Sequence, residues 1–182
     1  MKRLLFLAPL APLASLLSLL GCGYSADPGV NQIQLAIYTQ ECIDVLGAST
    51  ADGAEVQVYP CGAGKRSQEW IVQPIDPQGD VIVINENSSL CMAVDPATAD
   101  QPAARIIQQT CSSDNSALNQ QWKLTPQVAD PGMRFVSLAS QQCLDVPYGE
   151  TYSTVYMQQY FCTADDPAQG WVVNPVAPGS IP

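Results

Sequence analysis

Short alternations of apolar and polar residues recur along the chain after residue 30, and each predicts a half-buried β-strand. Three sets carry the alternation: Ile33, Leu35 and Ile37; Ile82 and Ile84; and Val136 and Leu138. Residues 56–59 and 155–158 continue the strand-like pattern, while Asp-Gly, Asp-Pro and Pro-Gly pairs at 52–53, 76–77 and 130–132 predict turns. No stretch after residue 30 keeps a helical period, so the pattern predicts an all-β chain.

All three tryptophans of the chain occur in one short motif, with a glutamine two residues earlier. The pairs are Gln68 and Trp70, Gln120 and Trp122, and Gln169 and Trp171. Successive tryptophans are 52 and 49 residues apart. A repeat of this length is typical of architectures in which no single unit buries its own core. Three all-β units of this size are expected to close on one another, because closure removes exposed strand edges.

The first residues have the composition of an export signal. Lys2 and Arg3 form a basic start, and an apolar run from 4 to 20 follows, interrupted by Pro9 and Pro12. A membrane span needs about 20 apolar residues, so this shorter, proline-containing run favours a cleaved signal.

The apolar run ends in Leu19-Leu20-Gly21-Cys22, which resembles the lipobox of bacterial lipoproteins. The resemblance implies that residues 1–21 are removed and that Cys22 becomes the lipidated N-terminus, anchored in a membrane. Gly23, rather than aspartate, follows the cysteine, which resembles the signal for the outer membrane. We therefore expect an exported lipoprotein of the outer membrane or cell surface. The alternative is an ordinary cleaved signal with an incidental cysteine.

Six further cysteines share the period of the repeat. The two cysteines of a repeat are 19 residues apart in the first repeat, 20 in the second and 19 in the third. An even number in an exported chain indicates disulfides, and the chain has no histidine to assist these thiols in metal binding. Six cysteines allow many pairings, but the repeat favours one pair within each unit. The predicted bridges are Cys42–Cys61, Cys91–Cys111 and Cys143–Cys162.

The charge and the missing residue types exclude several classes of function. All 17 Asp and Glu but only five of the seven Lys and Arg lie after Cys22, so the mature chain carries a net charge near −12. Nucleic acid is excluded as an expected partner, because phosphate binding needs clustered cations. Without histidine or a free thiolate, Ser-His-Asp and Cys-His nucleophiles are excluded too. We expect no enzyme, no cofactor and no metal.

The repeated motifs resemble one known family. Three repeats of a Cys-Ile/Leu-Asp-Val stretch, a second cysteine and Gln-x-Trp are similar to the ricin B-chain-type lectin domain, a β-trefoil. Cys91-Met92-Ala93-Val94 keeps the first stretch only loosely. The resemblance implies three lobes of four strands, with Trp70, Trp122 and Trp171 in the core. The predicted domain covers 33–175, with lobes at about 33–76, 77–128 and 129–175, a linker at 22–32 before it and an irregular tail at 176–182 after it.

The resemblance also implies a shallow sugar pocket in each lobe, built from an Asp, a Gln, an aromatic ring, an Asn and the Gln of Gln-x-Trp. Lobe 1 places Asp44, Gln57, Tyr59, Ser67 and Gln68 at these positions, with serine replacing the asparagine. Lobe 3 places Asp145, Gln158, Tyr160, Ala168 and Gln169 there, with alanine replacing the asparagine. Lobe 2 keeps only Asn119 and Gln120, since it has Ala93, Ile107 and Gln109 at the other positions. We therefore predict sugar sites in lobes 1 and 3.

Three interpretations follow. The first is a lectin without catalytic activity that binds glycans of galactose type or another hexose. The second is an accessory subunit of a toxin or adhesin, similar to those of the cytolethal distending toxins, which an exposed aromatic patch would favour. The third is a protein-interaction trefoil whose sugar sites have degenerated. Taken alone, each aspartate also suits a turn and each tyrosine a half-exposed strand position.

Overall fold

The computed structural model describes residues 29–127, 132–149 and 155–176. These residues contain thirteen antiparallel strands and five three-residue 3₁₀ helices, joined by turns and loops. The all-β prediction is therefore confirmed. The predicted signal peptide at 1–21, the lipidation site Cys22 and most of the predicted tail lie outside the described residues. No helix within the described ranges has the length and apolar character needed to cross a bilayer.

The strands fall into three successive groups that correspond to the three repeats. Lobe 1 contains β1 (Val30–Leu35), β2 (Tyr38–Val45), β3 (Val56–Pro60) and β4 (Glu69–Pro74). Lobe 2 contains β5 (Asp80–Asn85), β6 (Cys91–Val94), β7 (Ile106–Gln109) and β8 (Trp122–Pro126). Lobe 3 contains β9 (Met133–Ser137), β10 (Cys143–Asp145), β11 (Val155–Tyr156), β12 (Gln158–Tyr160) and β13 (Trp171–Pro175). The 3₁₀ helices are Leu46–Ala48, Arg66–Gln68, Leu118–Gln120, Pro147–Gly149 and Pro167–Gln169.

The first and last strands of the three lobes form a closed ring. Strand β1 pairs with β4, β4 with β5, β5 with β8, β8 with β9, β9 with β13, and β13 again with β1. A closed ring leaves no strand of the six with an unpaired edge, which protects the sheet from edge-to-edge aggregation.

The middle strands of each lobe form a hairpin, and the three hairpins join one another. The hairpins are β2 with β3, β6 with β7, and β10 with β12. Bridges between Glu55 and Ile107 and between Arg105 and Gln158 link them, and β11 pairs with β3. Each hairpin is thereby held in place by its neighbours.

One hydrophobic cluster fills the interior, and all three tryptophans belong to it with no exposed surface. The indole N–H of each donates to the carbonyl of the residue after its lobe's first cysteine, and the distances are 3.0 Å to Ile43, 3.2 Å to Met92 and 3.3 Å to Leu144. Each indole therefore fills core volume and also fixes the second strand of its own lobe. All three tryptophans thus lie in the core of the domain.

The three predicted disulfides are present, one in each lobe. Each joins the first strand of its lobe's hairpin to the segment just after the hairpin. Cys61 directly follows β3, whereas Cys111 and Cys162 lie two residues beyond β7 and β12. A crosslink across a loop of this length contributes about 3 kcal/mol to stability. Each bridge holds together the two arms of its lobe's hairpin.

Several predicted strand positions are wrong in detail. Ile37 lies in the turn after β1 and is 43% exposed, because β1 ends at Leu35. In β5 the hydrophobic cluster contains Val81 and Val83, whereas Ile82 is buried outside that cluster and Ile84 is half-buried. The β5 sequence is apolar on both faces, so alternation does not identify the inward face, and pairing with β4 and β8 sets it instead.

The same correction applies to β9. Its fully buried residues are Phe135 and Ser137, whereas the predicted Val136 is half-buried and Leu138 lies beyond the strand end. Pairing with β8 fixes this register, with Val136 opposite Lys123.

Candidate functional site

Two clefts lie at equivalent places in lobes 1 and 3, beside the hairpin of each lobe. In both, an aspartate and a glutamine face each other across the hairpin, and a tyrosine follows the glutamine by two residues. These trios are Asp44, Gln57 and Tyr59 in lobe 1, and Asp145, Gln158 and Tyr160 in lobe 3. Residues two apart on a strand share a face, so the ring and the amide of each trio point the same way. All six residues line the two clefts.

The cleft of lobe 1 has a volume of about 570 Å³. Asp44 is 6% exposed and accepts one hydrogen bond through Oδ2, from Gln57 Nε2 at 3.4 Å. Asp44 Oδ1 and Gln57 Oε1 are buried and have no hydrogen-bond partner in the protein. Leaving a buried acceptor unpaired costs about 1–3 kcal/mol, so these two oxygens favour a hydrogen-bond donor in the cleft.

Lys65 covers the aromatic ring of the lobe 1 cleft. Its Nζ lies 4.9 Å from the centroid of the Tyr59 ring and 3.4 Å from the carbonyl oxygen of Pro60. A ligand that stacks on this face of the ring must displace the ammonium group. Ser67, at the position of the family asparagine, is 7% exposed and also lines the cleft.

The cleft of lobe 3 has a volume of about 460 Å³, and both carboxylate oxygens of its aspartate accept hydrogen bonds. Asp145 Oδ1 accepts from Gln158 Nε2 at 2.6 Å, and Oδ2 accepts from Gln169 Nε2 at 3.1 Å. Burial raises the pKa of Asp145 above its ordinary value, and the nearby Asp166 carboxylate raises it further, while the two amide bonds oppose the shift. The carboxyl group of lobe 3 therefore takes up a proton more readily than a solvated aspartate.

Sequence reasoning did not identify Lys65 or Asp166, although the repeat contains the signal. Both residues follow the second cysteine of their lobe by four positions, and both line a cleft. The two clefts therefore share one aspartate–glutamine–tyrosine frame but differ in the sign of the charge beside it. Ala168, at the asparagine position of lobe 3, is 6% exposed and offers no side-chain hydrogen bond.

The predicted site residues Gln68 and Gln169 lie beneath the clefts and have no exposed surface. Gln68 Oε1 accepts from the Gly62 N–H at 2.9 Å, and its Nε2 donates to the Pro60 carbonyl at 3.1 Å. Gln169 makes the same pair of bonds, to Thr163 and Phe161. Each amide therefore fixes the backbone on both sides of the second cysteine, and only Gln169 also contacts a cleft aspartate.

The polar residues that lobe 2 keeps at the equivalent place bond to one another. Gln109 Oε1 accepts from Asn119 Nδ2 at 3.2 Å and from Gln120 Nε2 at 3.1 Å. Asn119 also donates to the Val94 carbonyl at 2.9 Å. With Ala93 where the other lobes have aspartate, these amides stabilise the loop before β8.

No group of three or more His, Cys, Asp or Glu within the described ranges is arranged to hold a metal ion. Both clefts present a carboxylate, an amide and an aromatic ring, to which lobe 1 adds the Lys65 ammonium group and lobe 3 the Asp166 carboxylate.

The chain is similar to one family model, that of the ricin-type β-trefoil lectin domain, over residues 30–171. Among curated proteins, none has a matching sequence.

Solved structures share the fold. The designed threefold-symmetric protein ThreeFoil is 25% identical, with a TM-score of 0.73, and the match covers 81% of this chain and 99% of that one. An exo-β-1,3-galactanase from Clostridium thermocellum is 23% identical with a TM-score of 0.72, over 82% of this chain but only 31% of the enzyme. The C-half of an earthworm R-type lectin, solved in complex with GalNAc, is 15% identical with a TM-score of 0.60, over 81% of this chain and 98% of that one.

The predicted β-trefoil is thus confirmed by the closed ring, by the three hairpins and by these structural matches. Since the family model spans most of the chain, including the paired strands that form both clefts, the protein belongs to the ricin-type β-trefoil lectin family.

Proposed function

We propose that the chain is a carbohydrate-binding lipoprotein without catalytic activity, with one sugar site in lobe 1 and one in lobe 3. The observation that carries the proposal is the recurrence of the same aspartate–glutamine–tyrosine frame, in the same strand register, in two lobes. A capping aspartate or a strand tyrosine would explain either residue alone. Neither explanation accounts for the presence of an aspartate, a glutamine and a tyrosine together in both clefts.

The frame suits a pyranose ring. The C–H groups on one face of a sugar pack against an aromatic ring, which Tyr59 and Tyr160 present at the two clefts. The hydroxyl groups donate to Asp44 or Asp145, and a charged acceptor gives the stronger hydrogen bond. The glutamine opposite each aspartate orients the carboxylate and offers its own oxygen, which is unpaired in Gln57.

Weak individual sites are expected. Ser67 and Ala168 replace the family asparagine, and the loss of one hydrogen bond costs about 0.5–1.5 kcal/mol. Two sites on one chain, and many chains on one membrane, compensate through avidity. The frame fits galactose-type sugars or another hexose, and the GalNAc bound by the earthworm lectin is a reasonable first ligand to test.

A role without catalysis agrees with the arrangement of the carboxylates. Retaining glycosidases need two carboxyl groups about 5 Å apart. The frame aspartates Asp44 and Asp145 lie in different lobes, each engaged with its own glutamine. Asp166 shares the cleft of Asp145, but its carboxylate caps the 3₁₀ helix Pro167–Gln169 by accepting from the Ala168 N–H at 3.0 Å. The galactanase matches over only 31% of its length, so the trefoil-like region there is a minor part of an enzyme.

Membrane attachment completes the proposal. Its support is the sequence Leu19-Leu20-Gly21-Cys22 after the apolar run. Acyl chains contribute about 0.8 kcal/mol per buried methylene, so lipid on Cys22 would anchor the domain at the outer membrane or cell surface.

A second candidate function is supported by exposed aromatic side chains on lobe 3. Tyr148 is 98% exposed, Phe161 58%, Tyr160 42% and Tyr156 38%. Such a surface suits a protein partner, as in a toxin or adhesin accessory subunit. A glycan explains Tyr148 and Tyr160 equally well, because both line the lobe 3 cleft.

The test is a glycan array with the soluble 23–182 domain, disulfides intact and presented multivalently, followed by calorimetric titration of the best monovalent glycan. We expect binding with close to two sites per chain. Asp44→Ala and Asp145→Ala should each leave one site. Absence of binding to any glycan would contradict the proposal and favour the protein-interaction trefoil.

Binding at lobe 3 should depend on pH. Because burial raises the Asp145 pKa above its ordinary 3.8, the acceptor carboxylate is lost at a higher pH than for a solvated aspartate. In an Asp44→Ala variant, which retains only lobe 3, affinity should fall on acidification with a midpoint above pH 3.8. The stability of the fold changes with pH in the opposite direction from the affinity. Because the folded state holds this proton more tightly than the unfolded state does, the contribution of Asp145 to the free energy of unfolding becomes less favourable as pH rises through its folded pKa. Titrations across a pH series check the prediction, and a midpoint at or below 3.8 would contradict it.

A further inference from the structure

The turn after the cleft aspartate has the same unusual backbone in lobes 1 and 3. Two consecutive residues, five and six positions after the first cysteine, have positive φ angles. They are Gly47 (63°) and Ala48 (52°) in lobe 1, and Tyr148 (57°) and Gly149 (64°) in lobe 3. Lobe 1 thus has glycine at the first of these positions, where lobe 3 has tyrosine.

Tyrosine is an unfavourable choice for this conformation. A bulky residue at positive φ is an outlier, whereas glycine adopts it readily. Packing does not compensate, because Tyr148 is 98% exposed. Residues held in such conformations cluster at ligand-binding sites, where the strained position serves a contact.

Tyr148 lies at the cleft already described. It lines the lobe 3 cleft together with Tyr160, Asp145 and Gln158. The equivalent Gly47 lines the lobe 1 cleft and contributes no ring. Lobe 3 therefore has two aromatic residues at its site and lobe 1 has one.

A second cleft adjoins that of lobe 3. It has a volume of about 350 Å³, and its lining includes Arg105 and Tyr156. Ala103 and Gln158 line both clefts. The Arg105 guanidinium lies 4.7 Å from the centroid of the Tyr156 ring, and its Nη1 donates to Glu55 Oε1. The second cleft therefore offers a further ring and the remaining N–H groups of the guanidinium.

We propose that Tyr148 is a specificity-determining residue of lobe 3, which stacks on a sugar beyond the one held by Asp145 and Tyr160. This proposal rests on the proposed function. It assigns to lobe 3 glycans of two or more sugar units, which extend towards Arg105 and Tyr156. Lobe 1, with Gly47 at the equivalent position, binds a single terminal sugar.

The experiment uses the Asp44→Ala background, so that lobe 3 provides the signal. Methyl β-galactoside, GalNAc, lactose and a panel of longer glycans are titrated against the parent and against Tyr148→Gly, Tyr148→Ala and Tyr148→Phe. Loss of the ring should weaken binding of the disaccharide and longer glycans by about threefold to tenfold, with monosaccharide binding unchanged. Tyr148→Phe keeps the ring and should retain binding.

The Tyr148→Gly variant separates the loss of the ring contact from any damage to the fold. Tyr148→Gly copies the backbone of lobe 1 and should leave the melting temperature unchanged or raised, while Ala48→Gly is the matched control that relieves the same conformation without removing a ring. Equal binding by Tyr148→Gly and the parent would overturn the inference but leave the lectin function intact. Absence of binding by the parent, with Asp145 in place, would overturn the lobe 3 site and this inference with it.

Discussion

The double substitution Asp44→Ala and Asp145→Ala is expected to abolish glycan binding while the domain stays folded. Each carboxylate is the acceptor around which its cleft is arranged, with a glutamine amide donating to it from the facing strand. Hydrogen bonds to a charged group are worth about 1.5–3 kcal/mol each. If a sugar makes two of them, affinity should fall by about a hundredfold or more at each site.

The fold should tolerate the change, because neither aspartate belongs to the hydrophobic cluster. The substitution leaves the Gln57, Gln158 and Gln169 amides without their carboxylate partner, but it also removes the Asp145 carboxyl group, which burial makes costly to ionise. We expect the melting temperature to change by only a few degrees. Array binding and thermal unfolding, measured on the same preparations, check both parts.

A matched control is available in lobe 2. Asp100→Ala with Asp114→Ala removes the same two charges from exposed positions in the lobe that lacks the frame. This control should bind as the parent does. Retained binding by the Asp44/Asp145 variant, or equal loss in the control, would show that the clefts have been assigned to the wrong residues.

Replacement of Trp122 by alanine is expected to cost about 3–5 kcal/mol of unfolding free energy, the range for a large aromatic side chain in a packed core. Trp122 has no exposed surface and lies in the same cluster as Trp70 and Trp171. Its indole N–H also holds the carbonyl of Met92, so truncation leaves both a cavity and an unpaired buried acceptor.

Such a loss is a large fraction of the roughly 5–15 kcal/mol by which domains are stable. Urea unfolding with the disulfides intact would measure it. Trp122→Phe should cost less, because the ring volume is largely kept while the hydrogen bond is lost. Leu118→Ala, at a residue 51% exposed in the same lobe, is the control and should have little effect. A cost below about 1 kcal/mol for Trp122→Ala would contradict the structural role assigned to the motif.

The sequence was most informative where the repeat constrained it. Equal spacing selected the pairs Cys42–Cys61, Cys91–Cys111 and Cys143–Cys162, all of which are present. The matched positions of Asp44 and Asp145 likewise indicated that the two lie in equivalent places, and the strand register agrees. The unit occurs three times, and a spacing that arose by chance in one copy would not recur at the same positions in the other two.

The sequence was least informative about the direction in which a side chain points and about what lies beside it. Gln68 and Gln169 were assigned to the sugar sites, yet their amides hold buried backbone beneath the clefts. Lys65 Nζ lies 4.9 Å from the centroid of the Tyr59 ring, a contact that the conformation of the loop after Cys61 sets. Contacts of this kind depend on loop conformation, which alternation and spacing do not encode.

The sequence by itself determined that the chain is all-β, that it is built from three repeats, which cysteines pair, and which lobe lacks the polar frame. The first three follow from period-two alternation and from internal repetition, and the last from the resemblance of the repeated motifs to the ricin B-chain-type lectin domain. Tertiary structure alone decided that Val81 and Val83 face the core and that β1 closes the ring against β13, with Asn174 bonded to Gln34 across 140 residues. It also decided that Tyr148 stands exposed at the rim of one cleft. These features arise from pairing between distant strands and from backbone angles in turns, whose energies depend on neighbours that the local sequence does not specify.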